Sequence, residues 1–119
     1  MSTDLKIDYI ELPASDFDAV QAFYETVFEW RFEDYGEQYR AFSDGKLDGG
    51  FYRSDKVSST DNGASLVIFF AEDLEAVQQA VIDAGGRVVN PIFEFPGGRR
   101  FHFADPHGNE LAVWTKTGN

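Results

Sequence analysis

The sequence predicts an α+β fold made of two tandem βαβββ modules, and three observations support this prediction. The pattern Ala-x-Asp-x-x-Ala-Val-Gln occurs at Ala14–Gln21 and again, about half the chain later, at Ala71–Gln78. Each copy of the pattern begins an apolar stripe with the spacing of a helix. A strand-like run precedes each stripe, and three short strand-like runs follow it. The 119 residues are therefore expected to form two similar halves of one domain.

The first module begins with a strand predicted over residues 5–12 and a helix predicted over 16–30. The strand is an apolar run, and the helix carries apolar residues at i, i+3 and i+7. Ser15 with Asp18 resembles a capping box at the start of the helix, and Asp16 is the other candidate cap.

The second module repeats this beginning, with a strand predicted over 65–71 and a helix over 73–84. Asp73 is the candidate N-cap of the second helix. Gly85 and Gly86 provide a stop signal at its C-terminal end, because glycine readily adopts the left-handed conformation found there.

Three short strands are predicted after each helix, where turn-forming residues separate apolar runs. They are expected over 31–35, 39–43 and 47–53 in the first half, and over 87–93, 100–103 and 110–115 in the second. Residues 54–63 are polar and rich in Ser, Asp and Asn, which predicts a linker loop between the modules. An alternative role for this loop is to cover a pocket. The modules therefore span about 5–53 and 65–115 of a single domain over 1–119.

Composition and charge argue against several classes of function. Acidic residues outnumber Lys and Arg by 21 to 10, and the net charge of −11 opposes binding to nucleic acid or to an anionic membrane surface. Without cysteine, the chain has no thiol nucleophile, disulfide, thiolate metal site or iron–sulfur cluster. Neither a leader pattern nor a long apolar run occurs, so a cytoplasmic location is predicted.

Alternation along the strands predicts which side chains face away from the helices. These side chains are mostly apolar and aromatic, with two carboxylates among them. They are Tyr9 and Glu11 on the first strand, Leu66, Ile68 and Phe70 on the fifth, and Glu110, Ala112 and Trp114 on the last. Such a wall suits a small, partly apolar ligand, and a dimer interface or a second core is the alternative interpretation.

Four segments carry a family resemblance, and they are Tyr9–Asp16, Ala22–Trp30, Ala84–Gly86 and Phe103–Leu111. With them, nearly the whole chain resembles the vicinal oxygen chelate superfamily, which includes glyoxalase I, extradiol dioxygenases, methylmalonyl-CoA epimerase and the bleomycin and fosfomycin resistance proteins. The first two segments look most like its loosely characterised glyoxalase-like members. The resemblance implies two βαβββ modules that form a curled mixed sheet around a shared cavity, and a homodimer that packs module against module.

The resemblance also provides a test for a metal site. Metal-dependent members place His, Gln or Glu on the first and last strands of each module. The matching positions here are Tyr9, Leu66, Ala112 and one of the residues 49–51. Leu66 and Ala112 have no lone pair to offer, so neither a metal nor another cofactor is predicted. The alternative is a shifted metal site built on Glu11, Glu110 and His102.

A few further side chains are candidates for chemistry. Glu11 is the main polar anchor and the candidate base, and an ion pair with an arginine is its structural alternative. His102 is either a packed strand residue or a ligand-binding one. His107 is expected to be solvated in a turn, and Arg99 and Arg100 to lie at the rim of a hairpin, where contact with an anionic ligand is an alternative role.

The predicted function is metal-independent binding of a small, partly apolar or cationic molecule by a homodimer of the glyoxalase/bleomycin resistance/dioxygenase type. The predicted ligand-binding residues are Tyr9, Glu11, Leu66, Ile68, Phe70, His102, Glu110 and Trp114. Two alternatives stay open: a metal-dependent lyase, isomerase or dioxygenase with shifted ligands, and a homodimeric interaction module without a ligand site. Catalysis itself stays open, and an enzyme would be a glyoxalase-like lyase or isomerase with Glu11 as its catalytic residue.

Overall fold

The computed structural model describes residues 4–117 and has the predicted order of elements, a βαβββ module followed by a second one. The first module comprises β1 (Tyr9–Ala14), α1 (Phe17–Phe28), β2 (Arg31–Asp34), β3 (Tyr39–Ser43) and β4 (Asp48–Arg53). The second comprises β5 (Ile68–Phe70), α2 (Leu74–Asp83), β6 (Arg87–Phe95), β7 (Gly98–Ala104) and β8 (Glu110–Lys116). Within 4–117, neither helix is long and apolar enough to cross a membrane.

The two modules form two four-stranded mixed sheets with the same topology. The first sheet has the strand order β1-β4-β3-β2 and the second has β5-β8-β7-β6. In each sheet the first and last strands of the module pair in parallel, and the other pairs are antiparallel. Side chains from the first and last strands of a module are therefore direct neighbours on each face of its sheet.

The two helices begin with the same cap. The Oδ1 atom of Asp16 accepts a hydrogen bond from the backbone N–H of Ala19 at 3.1 Å, and Asp73 accepts one from Ala76 at 3.1 Å. These aspartates satisfy N–H groups that have no partner inside the helix. The capping box considered for Ser15 and Asp18 is not formed, because the Asp18 carboxylate accepts a hydrogen bond from Arg40 instead.

The helices end differently. Gly85 follows α2 with a left-handed φ of 97°, as the glycine stop signal predicts. Glu29 ends α1 with a left-handed φ of 59°, although it carries a Cβ atom. The helix end therefore has a conformation that glycine would adopt at lower cost.

An aromatic core joins the two modules. The rings of Phe28 in α1 and Phe69 in β5 stack with their centroids 4.1 Å apart. Phe23 and Phe103 lie 5.9 Å apart, and a Cβ atom at Gly86 would collide with Phe23. Such close packing between the halves explains why a glycine is needed at position 86, just after α2.

A buried polar cluster fixes the turn before β8. The Oδ1 atom of Asp105 accepts three backbone N–H bonds from residues 107–109 at 2.9 to 3.0 Å, and its Oδ2 atom accepts the Tyr24 hydroxyl at 2.8 Å. The Asn109 amide donates to the carbonyl of Pro13 at 2.8 Å. Burial raises the pKa of Asp105 more than these hydrogen bonds lower it.

The linker is bound to the second module along part of its length. Residues 60–62 form a short 3₁₀ turn inside the predicted loop. The backbone of Ser58 accepts from Glu110 N–H at 2.8 Å and donates to the Asn109 side chain at 3.0 Å. Thr60 donates from its N–H and its hydroxyl to the Glu110 carboxylate at 2.9 and 2.8 Å. The linker therefore covers the beginning of β8.

His107 is half-buried, although its position in a turn predicts a solvated side chain. Its Nδ1 atom accepts from the backbone N–H of Ser15 at 3.3 Å, and its Nε2 atom lies 2.7 Å from the carbonyl of Lys56. A single neutral tautomer, protonated on Nε2, satisfies both contacts. His107 thus connects the beginning of α1 to the linker.

Candidate functional site

Each sheet packs one face against the helices and leaves the other face open. In β1, Leu12 is 5% exposed on the core side, whereas Tyr9 is 45% exposed on the open side. In β5, Ile68 and Phe70 are 44% and 46% exposed. The two open faces are the candidate sites, because each presents exposed aromatic or large apolar side chains beside a cavity.

The open face of the first sheet is polar and aromatic. Cross-strand pairing arranges its side chains in two rows, Tyr9–Asp48–Ser43–Arg31 and Glu11–Gly50–Ala41–Glu33. A cavity of about 540 Å³ lies on this face. Its lining includes Tyr9, Arg31, Glu33, Tyr35, Tyr39 and Asp48. The two rows carry three carboxylates and one guanidinium, so the face attracts cations.

A chain of hydrogen bonds runs across this face. The Tyr39 hydroxyl donates to Oε2 of Glu11 at 2.9 Å, and the Tyr9 hydroxyl lies 2.8 Å from that of Tyr39. The single O–H group of Tyr39 donates its hydrogen bond to Glu11. The Tyr9 hydroxyl is therefore the donor in the contact between the two tyrosines. Burial, together with the hydrogen bonds to Tyr9 and Glu11, raises the pKa of Tyr39, which keeps this donor protonated.

Gly50 makes room for this arrangement. A Cβ atom at Gly50 would collide with the hydroxyl and ring of Tyr39. The Tyr39 side chain therefore lies directly over the backbone of β4, and its hydroxyl reaches Glu11 on β1. No residue with a longer side chain fits at position 50 unless Tyr39 moves.

Glu11 does not form the buried ion pair considered as its alternative. Its side chain is exposed, and within residues 4–117 no basic group lies within 4.0 Å of it. Arg40 bonds Asp18 at 2.8 Å, and Arg99 bonds Glu75 at 2.6 Å. Tyr39 is the hydrogen-bond partner of this carboxylate, and it lines the cavity beside Glu11.

The open face of the second sheet is mostly apolar. Its two central rows are Phe93–Arg100–Trp114–Phe70 and Asn90–His102–Ala112–Ile68. A smaller cavity of about 280 Å³ is lined by Ile68, Phe95, Arg100 and Trp114. This face therefore offers aromatic surface around a single guanidinium.

His102 and Glu110 are bonded to each other at the edge of this face. Nδ1 of His102 lies 2.7 Å from Oε2 of Glu110, and both side chains are buried. Burial raises the pKa of Glu110, but the hydrogen bonds from His102 and Thr60 outweigh it, so the net shift is downward. Because Thr60 covers the carboxylate, Glu110 holds the linker in place and is not open to solvent.

The predicted site residues fall on two different sheets. Tyr9 and Glu11 belong to the first sheet, and Ile68, Phe70 and Trp114 belong to the second. Each of the two cavities described above is lined by one sheet alone. In one chain the predicted site residues therefore do not line a common cavity. Leu66 lies half-buried just before β5.

The residues present do not fit the metal site that the fold family implies. Leu66 and Ala112 have no donor atom, and a side chain at Gly50 is blocked by Tyr39. Within one chain the shifted set is divided between sheets, with Glu11 on one and His102 with Glu110 on the other. Within the part of the chain that the structure describes, no three His, Asp or Glu side chains are grouped to hold a metal ion.

Solved structures show the same fold. A glyoxalase-related enzyme from Fulvimarina pelagi has a TM-score of 0.76 at 17% identity, over 94% of this chain and 88% of that one. The fosfomycin resistance protein FosX from Mesorhizobium loti has a TM-score of 0.75 at 17% identity, over 95% and 93%. A lactoylglutathione lyase from Agrobacterium tumefaciens has a TM-score of 0.73 at 19% identity, over 93% of both chains. No curated protein matches the chain in sequence.

The model of the Glyoxalase/Bleomycin resistance protein/Dioxygenase superfamily matches residues 6–113. The chain belongs to this superfamily. This finding confirms the family resemblance that the four sequence segments carry, and it leaves the ligand open.

Proposed function

We propose that this superfamily member binds a small, partly apolar or cationic molecule without a metal, on the open face of the first sheet. The observation that carries this proposal is the Tyr9–Tyr39–Glu11 chain of hydrogen bonds beside a cavity of about 540 Å³. Tyrosine rings with nearby carboxylates form a favourable environment for an organic cation. Glu33 and Asp48 line the cavity, and Glu11 adds charge behind Tyr39.

Benzylamine and benzyl alcohol are suitable probes, because they differ in charge more than in shape. We expect calorimetry to show tighter binding of benzylamine. Glu11→Gln and Asp48→Asn should each weaken benzylamine binding about two- to fivefold, as expected for the loss of one partly exposed charge contact. Glu72→Gln is the matched control, since this exposed residue lies in the second module and its loss removes the same charge.

Two results would contradict this proposal. One is equal binding of the amine and the alcohol, and the other is an equal effect of Glu72→Gln and Glu11→Gln. The first result would mean that the charge of the ligand does not contribute to binding, and the second that the acidity of the whole chain, and not this face, attracts the cation. Catalysis by Glu11 stays a prediction, supported by its exposed position and its hydrogen bond from Tyr39.

We also propose a homodimer in which the first sheet of one copy faces the second sheet of the other. The charges of the two faces are complementary, with Glu11, Glu33 and Asp48 on the first and Arg100 and Lys116 on the second. Such a dimer would enclose both cavities and cover the exposed aromatic side chains.

Analytical ultracentrifugation tests the dimer. The expected result is a dimer that weakens as salt rises and that Trp114→Glu converts to a monomer, because the change places a charge in an apolar contact. A wild-type protein that remains monomeric at the highest soluble concentration would contradict the proposal. Ile82→Glu, on the exposed side of α2, is the control and should leave the dimer intact.

A further inference from the structure

Arg100 has no carboxylate partner in a strongly acidic chain. Among the described residues, no acidic oxygen lies within 4.0 Å of its guanidinium, although the sequence has 21 acidic residues. Arg99, on the opposite face of β7, bonds Glu75 at 2.6 Å, and Arg40 bonds Asp18 at 2.8 Å. A half-buried guanidinium without an acid beside it is available to an anion from outside.

Two buried nitrogens on the same face lack hydrogen-bond partners within the described part of the chain. They are Nε of Arg100 and Nε2 of His102, which is 5% exposed. Nδ1 of His102 is occupied by Glu110, so its other nitrogen is the unsatisfied one. Buried polar atoms without partners are uncommon in native proteins, and a bound water, ion or ligand is what usually satisfies them. A guanidinium can donate to both oxygens of one carboxylate at the same time.

Aromatic rings surround the guanidinium. Cζ of Arg100 lies 5.4 Å from the centroid of the Phe93 ring and 5.7 Å from that of Phe95. Trp114 is its cross-strand neighbour. The cavity of about 280 Å³ is lined by Arg100, Phe95, Trp114 and Ile68. The rings orient the guanidinium and reduce its contact with water, which strengthens its attraction to an anion. A cavity of this size accommodates a small ligand with one ring.

The charge of this face also favours an anion. Lys116 adds a second cation, with Nζ 5.9 Å from the centroid of the Phe70 ring. Glu110 is the carboxylate of the same face, and its oxygens are engaged by His102 and Thr60. A free anion therefore meets two cations here and a carboxylate whose oxygens already accept hydrogen bonds.

We propose that Arg100 binds the carboxylate of a small aromatic acid on the open face of the second sheet, with the ring of the acid against Trp114 and Phe95. This site goes beyond the ligand site proposed on the first sheet and does not depend on it, whereas in the proposed dimer the first sheet of the other copy would face Arg100. A carboxylate from a second copy of the chain is the competing partner for Arg100.

Calorimetric titration of the full chain with benzoate, benzamide and benzamidine tests the site. These probes share a ring and differ in charge. Benzoate should bind with saturation and perturb Trp114, which is the cross-strand neighbour of Arg100. Benzamide should bind about ten- to a hundredfold more weakly, because it lacks the charge-assisted hydrogen bonds. Benzamidine should not bind at this site.

Matched variants assign the effect to Arg100. Arg100→Gln should abolish the preference for benzoate over benzamide, and Arg100→Lys should keep part of it, since lysine retains the charge but not the paired donors. Arg99→Gln removes the same charge on the opposite face and should leave benzoate binding unchanged. Glu72→Gln, an exposed change between β5 and α2, should also leave it unchanged. Benzylamine binding is measured separately, so that this site and the proposed function can fail separately.

Three results would overturn the proposal. The first is the absence of saturable benzoate binding to the wild type, and the second is equal binding of benzoate and benzamide. The third is an equal loss in Arg99→Gln and Arg100→Gln. If benzoate does not bind and Arg100→Gln dissociates a dimer, Arg100 belongs to an interface between copies and the ligand site is rejected.

Discussion

Glu110 and Asp105 are two buried carboxyl groups whose pKa values shift in opposite directions. Burial raises both, but Glu110 also bonds a histidine and two donors of Thr60, and its pKa falls. Asp105 accepts backbone N–H groups and the Tyr24 hydroxyl, and its pKa still rises. The difference follows from burial, because Asp105 is the more deeply buried group and its pKa rises although it accepts more hydrogen bonds than Glu110.

The lowered pKa of Glu110 predicts a loss of stability in acid. A carboxyl group with a folded pKa below its unfolded pKa stabilises the fold above the unfolded pKa, about 4.3, and loses this contribution as the pH falls through the folded pKa. We expect Glu110→Gln to lower the free energy of unfolding by about 1–3 kcal/mol at pH 7 and by less below pH ~4. Urea denaturation between about pH 3 and 8 measures this difference.

Glu72→Gln serves as the control for Glu110, because this side chain is exposed and its replacement should change the free energy of unfolding by less than about 0.5 kcal/mol. An effect of Glu110→Gln that is constant with pH, or that grows in acid, would show that the carboxylate does not stabilise the fold through its charge.

Residue contacts across strands were the least predictable part of the candidate site. Alternation along β1 indicates that Tyr9 and Glu11 share a face, but it says nothing about Tyr39 on β3. Tyr39 reaches Glu11 only because β4 lies between β1 and β3 and has Gly50 at the crossing. The Gly49-Gly50 pair inside a strand was the available signal, since a glycine there often marks the close approach of another group.

At the scale of elements, the helices were predicted well because their signals are local. Asp16 and Asp73 cap their helices as the repeat indicates. The strands β1 and β5 differ most from their predicted limits, because a strand extends only as far as its partner pairs with it. The beginning of β1 coincides with the pairing of Tyr9 and Asp48, and β5 pairs with β8 over three residues.

The end of α1 offers a test of helix-terminus energetics. Glu29 has a left-handed conformation that costs an ordinary residue about 1–2 kcal/mol. We expect Glu29→Gly to raise the free energy of unfolding by about 0.5–1 kcal/mol. This net gain is the relief of the left-handed conformation minus the cost of the greater conformational freedom of glycine in the unfolded chain. Glu25→Gly, inside the same helix, should lower it by about 1 kcal/mol. Destabilisation by both changes in urea denaturation would contradict this account.

At the scale of the whole molecule, the two modules share a core but present different open faces. Phe28 and Phe69 stack between the modules, whereas the two cavities lie on separate sheets. The duplicated pattern predicts two equal halves, and it cannot show that one face is acidic and the other is apolar with Arg100. That difference lies in single residues at equivalent positions, and their effect depends on which side chains the register makes neighbours.

Benzylamine binding in the presence and absence of a metal tests the central claim most directly. The titration is made on protein dialysed against a chelator and on the same protein supplied with Zn²⁺ or Ni²⁺. We predict the same dissociation constant in both cases, since the side chains of Leu66 and Ala112 have no atom that could coordinate an ion. Binding that requires the added metal, and that disappears in Glu11→Gln and Glu110→Gln, would contradict the account.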